Sequence, residues 1–152
     1  MCLRGASEVQ EQLLAKNDDS RLRAYVVWQP MLGGQETHVP DATRIVTDER
    51  ASQYWDGPGS TLRSYRSVLS LAEPAWDIYM VYGPKARWQG DLPPEPAYWM
   101  HQLGERDRPR VDGPYLDAEV FAKKTNELLP KQGNMSTLVN RDDIALAIAR
   151  TQ

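Results

Sequence analysis

The chain holds one cysteine, Cys2, and two histidines, His38 and His101. Cys2 lies near the start of a predicted helix, and a helix N-terminus lowers a thiol pKa and favours the thiolate. A reactive single thiol there could form mixed disulfides or bind a soft metal. The plainer alternative is an inert residue at a frayed terminus. Dithiol exchange needs two thiols in one molecule, so one cysteine cannot run that cycle alone. His101 lies in Tyr98-Trp99-Met100-His101-Gln102. A histidine there is a candidate general base or metal ligand, or a hydrogen-bonded structural residue among aromatics. No two of Cys2, His38 and His101 share the i, i+4 spacing that would place them on one helix face. No metal site and no cofactor are predicted.

Five tryptophans and seven tyrosines stand against one phenylalanine. Each Trp or Tyr pairs a large apolar body with one polar handle. Trp28 and Trp76 read as core. Trp88 and Trp99 flank a proline-rich loop and are candidates for lining a cleft for an apolar or cationic ligand. Asp77 follows Trp76 inside a predicted strand, where a carboxylate must be exposed or paired. It is a candidate ligand-facing acceptor, with an outward or capping role as the alternative. Gly33-Gly34 lacks the spaced glycines and lysine of a phosphate loop, and no G-x-S-x-G elbow occurs.

These groups need a scaffold, and hydrophobic period supplies its outline. Ala6, Val9 and Leu13 predict a helix over 6–16. Leu22, Ala24, Val26 and Trp28 predict one face of a strand, with Tyr25 and Val27 on the other. Thr47, Asp48 and Glu49 predict a capped short helix stopped by Asp56-Gly57-Pro58-Gly59. Leu62, Tyr65 and Leu69 predict the next helix, ending before Pro74. Trp76, Ile78, Met80 and Tyr82 alternate as a strand. Gly83-Pro84 predicts a turn, with Ala86-Arg87-Trp88 returning as a hairpin. Residues 104–114 read as loop. A helix is expected over 117–129. Asn140, Asp142 and Asp143 predict a last short helix ending near Arg150.

Length, 152 residues, suits one domain able to fold without staples. Lys plus Arg number 18 and Asp plus Glu 21, a net charge of -3, which leaves no electrostatic footprint for nucleic acid. No apolar run approaches the about 20 residues of a membrane span, and Met1-Cys2-Leu3-Arg4 does not open a signal peptide. The expectation is a soluble cytoplasmic protein.

The element order is helix, strand, helical region, strand, strand, helix and tail, an α/β arrangement with a mixed sheet. Cys2-Leu3-Arg4-Gly5-Ala6 looks like the second half of a C-x-x-C motif running into a helix. Together with "AWDIYMVYGPKARW", "QYWD" and "PPEPAYWMHQL", it resembles an uncharacterised bacterial group of thioredoxin-like proteins over Cys2 to Leu129. The resemblance implies a thioredoxin-like sandwich, a central mixed sheet flanked by helices, over 1–129. It is N-terminally truncated: its first strand and first motif cysteine are missing. Residues 130–152 form a C-terminal tail with a short strand and a short helix. By the same resemblance Pro74 takes the place of the proline, cis in that fold, that faces the redox site; only about 5–6% of X-Pro bonds are cis. An unfilled strand position would leave an open edge. Either Met135 to Val139 supplies a replacement strand, or a second copy pairs there as a homodimer. The function expected is a binding or interaction module without a dithiol pair. The alternatives are a single-cysteine thiol oxidoreductase using Cys2 as catalytic residue, or a small-molecule binder using Trp88, Trp99, His101, Asp77 and Pro74.

Overall fold

The computed structural model describes residues 3–129 and 144–151. Cys2 and the expected replacement strand at Met135 to Val139 lie outside them. The chain opens with α1 (Leu3–Val9), which continues into a π-helical turn at Gln10–Leu14. The wider turn is marked by the Ala15 N–H donating to the Gln10 carbonyl at 2.9 Å. β1 follows at Leu22–Gln29. Its Leu22, Ala24, Val26 and Trp28 are buried, while Tyr25 on the opposite face is exposed. A 3-10 turn at Glu36–His38 runs into the short α2 (Val39–Ala42).

The helix expected from Thr47 does not form. Asp48 turns its carboxylate on Arg50 (2.8 and 2.7 Å) and accepts the Arg50 backbone N–H, a tight turn that launches β2 (Ala51–Trp55). The N–H groups of Thr47 and Asp48 go instead to the Gln10 side chain. Gln53 points inward from β2 and is satisfied there. It accepts from the Trp28 indole at 3.1 Å and donates to the Thr43 and Val46 carbonyls. The Asp56–Gly59 segment opens a helix rather than closing one. Asp56 accepts the N–H groups of Ser60 and Thr61 at the head of α3 (Ser60–Val68).

β3 (Ile78–Val81) pairs antiparallel with β4 (Tyr98–His101), not with Ala86 to Trp88. Pro93, Pro94 and Pro96 carry no N–H to donate to a ladder. Pairing therefore resumes only at Ala97, whose N–H reaches the Val81 carbonyl at 2.9 Å. Within 104–114, read as loop, β5 (Gly104–Glu105) and β6 (Arg108–Pro109) make a small ribbon. α4 (Ala118–Leu128) begins as expected, with the Asp117 carboxylate accepting the N–H groups of Glu119 and Val120.

The last strand, β7 (Ile144–Thr151), replaces the helix expected to end near Arg150. Isoleucine and leucine at 144, 146 and 148 alternate with alanines at 145, 147 and 149, a period of two that suits a strand. Partners on both sides take up its backbone groups. β7 runs parallel to β1, with Leu22 beside Ile144 and Gln29 beside Thr151. It runs antiparallel to β3, with Ile78 beside Ala149 and Val81 beside Leu146. The mixed sheet therefore has the order β2-β1-β7-β3-β4. The segment after 129 thus contributes the central strand.

α1, the π-helical turn and α4 cover one face of this sheet. Ala6, Val9, Leu13, Leu14, Phe121 and Ala122 pack there with the inward residues of β1 and with Tyr79 and Val81. On the other face Leu62 and Tyr65 of α3 pack with Ile78, Met80 and Trp76. Trp28 and Trp76 are both buried.

Candidate functional site

β1 and β7 end at Gln29 and Thr151, where the antiparallel β3 begins and β4 finishes. Ligands of open α/β sheets gather at such carboxyl edges. Asp77 stands at this edge. It is 5% exposed, and its backbone takes φ 54°. A side chain in that left-handed region is uncommon and costs free energy that the surroundings must offset. Two bonds do so. The Tyr79 hydroxyl donates to Asp77 Oδ1 at 2.9 Å, and the Gln102 N–H donates to the Asp77 carbonyl at 3.0 Å. The Gln102 side chain also meets the Tyr79 hydroxyl at 3.0 Å. The bond from the Tyr79 hydroxyl holds the Asp77 carboxylate against Tyr79, which lies on the face of the sheet under α1 and α4.

His101 is fully buried beside this cluster. The Leu103 N–H donates to its Nδ1 at 3.1 Å, which makes Nδ1 the acceptor. Nε2 then carries the proton and faces the Gly113 carbonyl at 3.2 Å. Both nitrogens are engaged, so neither offers itself to a metal or a substrate. Trp99 and Tyr115 flank the imidazole, with ring centroids 6.0 and 5.6 Å away. The Tyr115 hydroxyl donates to the Gly104 carbonyl, and the Arg106 guanidinium lies 5.0 Å over its ring. Burial pushes the Tyr115 phenol up, and the nearby negative charge of Asp77 adds to the rise.

Burial holds the His101 pKa below its ordinary value, with the Gly113 carbonyl opposing part of that shift. The unfolded chain then takes up the proton first as pH falls. The stability from a neutral His101 is fully present above the unfolded value of about 6.5 and declines as pH drops below it. NMR titration of the imidazole should place its midpoint below the ordinary value of about 6.5; a midpoint at or above that contradicts the arrangement.

The other sequence candidates fall differently. Trp99 joins the cluster and is half-buried; a Cβ on Gly113 would sit 2.6 Å from its ring, so only glycine fits there. Trp88 is 55% exposed on the loop before β4, and no ring contact joins it to Trp99. Pro74 is exposed and its peptide bond is trans. Its carbonyl accepts the Trp76 N–H at 2.9 Å, a tight turn that leads the chain into Asp77. Among the described residues no group of three His, Cys, Asp or Glu comes together to hold a metal ion. No described helix is long and apolar enough to cross a membrane.

Three members of the cluster, Tyr79, Gln102 and Tyr115, were not singled out from sequence. The alternation of the β3 strand was the available signal for Tyr79, since it groups Tyr79 with Asp77. Gln102 and Tyr115 arrive by tertiary pairing alone. On the opposite face, Gln29 donates to the Thr61 hydroxyl at 2.6 Å, and that hydroxyl donates to Asp56 at 2.5 Å. This chain of donors fixes the amide and leaves Gln29 Oε1 buried without a partner.

No family model, curated protein or solved structure matches this chain. Its function rests on the site.

Proposed function

We propose that the chain is a thioredoxin-like domain without the dithiol pair, working as a binding module whose ligand docks at the carboxyl edge of the sheet beside Asp77. The observation that carries this reading is the position of β7. In a strand–helix–strand unit, the strand before the helix lies parallel beside the strand after it. α1 leads into β1, and β7 lies parallel beside β1 with α1 packed on it. β7 thus stands where such a unit would put the strand ahead of α1. The helices also divide as a two-faced sandwich requires, α1 and α4 on one side and α3 on the other.

The buried, tyrosine-bonded Asp77 supplies a fixed hydrogen-bond acceptor at that edge. A polar ligand bearing N–H or O–H donors complements it. Trp99, within the cluster, supplies the readout. Tryptophan fluorescence against a panel of amines, amides and short peptides should show saturable change with at least one. Asp77→Asn should remove that change and Cys2→Ala should preserve it. A flat response across the panel counts against this ligand reading.

A single-cysteine oxidoreductase is the second reading, resting on Cys2 as the one thiol of the chain. Thiol exchange with glutathione that Cys2→Ala abolishes, with Asp77→Asn leaving the fluorescence unchanged, would put that reading first.

A further inference from the structure

β2 is an edge strand, and its outer side is unguarded. Ala24 donates its N–H to the Arg50 carbonyl at 3.1 Å, and Asp56 donates its N–H to the Trp28 carbonyl at 2.9 Å. Backbone groups alternate sides along a strand. Arg50, Ser52, Tyr54 and Asp56 therefore turn theirs toward β1, while Ala51, Gln53 and Trp55 turn theirs away from the sheet. The Ala51 N–H is used at home, by the Asp48 carbonyl at 3.0 Å. The main-chain groups of Gln53 and Trp55 and the Ala51 carbonyl have no such partner among the described residues. Edge strands are ordinarily protected by charge, proline or a bulge. Ala51-Ser52-Gln53-Tyr54-Trp55 has no charge and no proline. The opposite edge differs. At its end His101 exchanges backbone bonds with the Pro114 and Leu116 segment, and Pro96 precedes it.

We propose that the outer edge of β2 is a self-association surface, where two copies of this chain pair antiparallel about a twofold axis at Gln53. Two features of the strand fit a second copy. In this register the outward residues meet outward residues: Gln53 faces Gln53 of the second copy, and Ala51 faces Trp55. The free N–H and C=O groups are then exchanged in hydrogen-bonded pairs, as an antiparallel ladder requires. On the exposed side Ser52 comes opposite Tyr54, which is 53% exposed in the single chain and gains a neighbour. The interface is isologous and closed, so pairing stops at two copies. It is independent of the ligand reading and sets the homodimer at β2, since the sheet position between β1 and β3 is occupied by β7.

The register gives a direct test. Ser52 and Tyr54 of the second copy form a non-hydrogen-bonded pair, whose Cα atoms lie about 4.5 Å apart, within disulfide range. In a Cys2→Ser background, two differently tagged chains are made, one with Ser52→Cys and one with Tyr54→Cys. Oxidation of the mixture should give a heterodisulfide dimer, and oxidation of either chain alone should give far less. Separately, Ser52→Lys with Tyr54→Lys should weaken the dimer at least about tenfold by sedimentation velocity, because it sets like charges opposite each other. Both positions are exposed, and circular dichroism confirms that the variants fold. A wild-type chain that sediments as a monomer at about 100 μM overturns the proposal (a pairing that weak would leave the edge free in vivo). Disulfides forming as readily within one variant as between two also overturn it. So does a monomeric chain that captures an extended peptide on this edge.

Discussion

A chain ending at residue 143 should lose its cooperative unfolding transition. β7 is the central strand, and its removal takes away the parallel ladder to β1 and the antiparallel ladder to β3 together. Two inner strand edges would open at once in the middle of the sheet. Each lost hydrogen bond is worth about 1 kcal/mol net, and an unsatisfied buried partner costs about 1–3 kcal/mol more. The total exceeds the about 5–15 kcal/mol by which a domain is usually stable. Far-UV circular dichroism through a thermal scan reads this directly. A truncated chain that melts cooperatively within a few degrees of the full chain would mean that the slot between β1 and β3 does not depend on β7. The proposed thioredoxin-like architecture would lose its main support with it.

Phe121→Ala should destabilise by about 3–5 kcal/mol, the range for emptying a large aromatic site in a core. Phe121 is fully buried on the inward face of α4. Its ring meets Tyr79 edge-on with centroids 6.1 Å apart and lies 6.5 Å from Tyr98. It is thus the main wedge between α4 and the β3–β4 half of the sheet. The melting temperature should fall by roughly 10 °C, as a chain of this size loses about 2–4 °C per kcal/mol. Tyr79 also donates to Asp77. The cavity should therefore loosen the site as well, which a faster-exchanging Gln102 amide would report. A loss below about 1 kcal/mol would show that α4 does not seal this face as described.

Local signals carried the parts of the fold that are local. The helix over 117–129 was legible because Ala118, Phe121, Thr125 and Leu128 recur at helical spacing, and α4 spans Ala118–Leu128. Leu22, Ala24, Val26 and Trp28 read as one face of a strand because a period of two is a property of the strand itself, and all four are buried. Leu62 and Tyr65 gave α3 in the same way. Asp48 misled because a carboxylate near a chain turn serves a helix cap and an arginine grip equally well, and the choice depended on Arg50. Ala86 to Trp88 misled because a turn signal says that the chain reverses but not where the returning strand regains free N–H groups; three prolines postponed that to Ala97.

The site divides along the same line. Sequence singled out Asp77, His101 and Trp99, three residues of chemical type in two separate aromatic motifs, and the structure brings them to one end of the sheet. It could not show that both His101 nitrogens are taken, since Leu103 and Gly113 reach the ring only after the chain folds back on itself. Nor could it show Tyr115 beside Asp77.

What the sequence determined by itself is the α/β class, the lone thiol that rules out an internal dithiol cycle, and most of the helices and strands one by one. The tertiary structure alone decided that Ile144 to Thr151 is a strand. Alanine at 145, 147 and 149 permits a helix or a strand, and only two waiting ladders, one from β1 and one from β3, make the extended form the stable one. A central strand is specified by its neighbours, and here those neighbours lie more than sixty residues away in the chain.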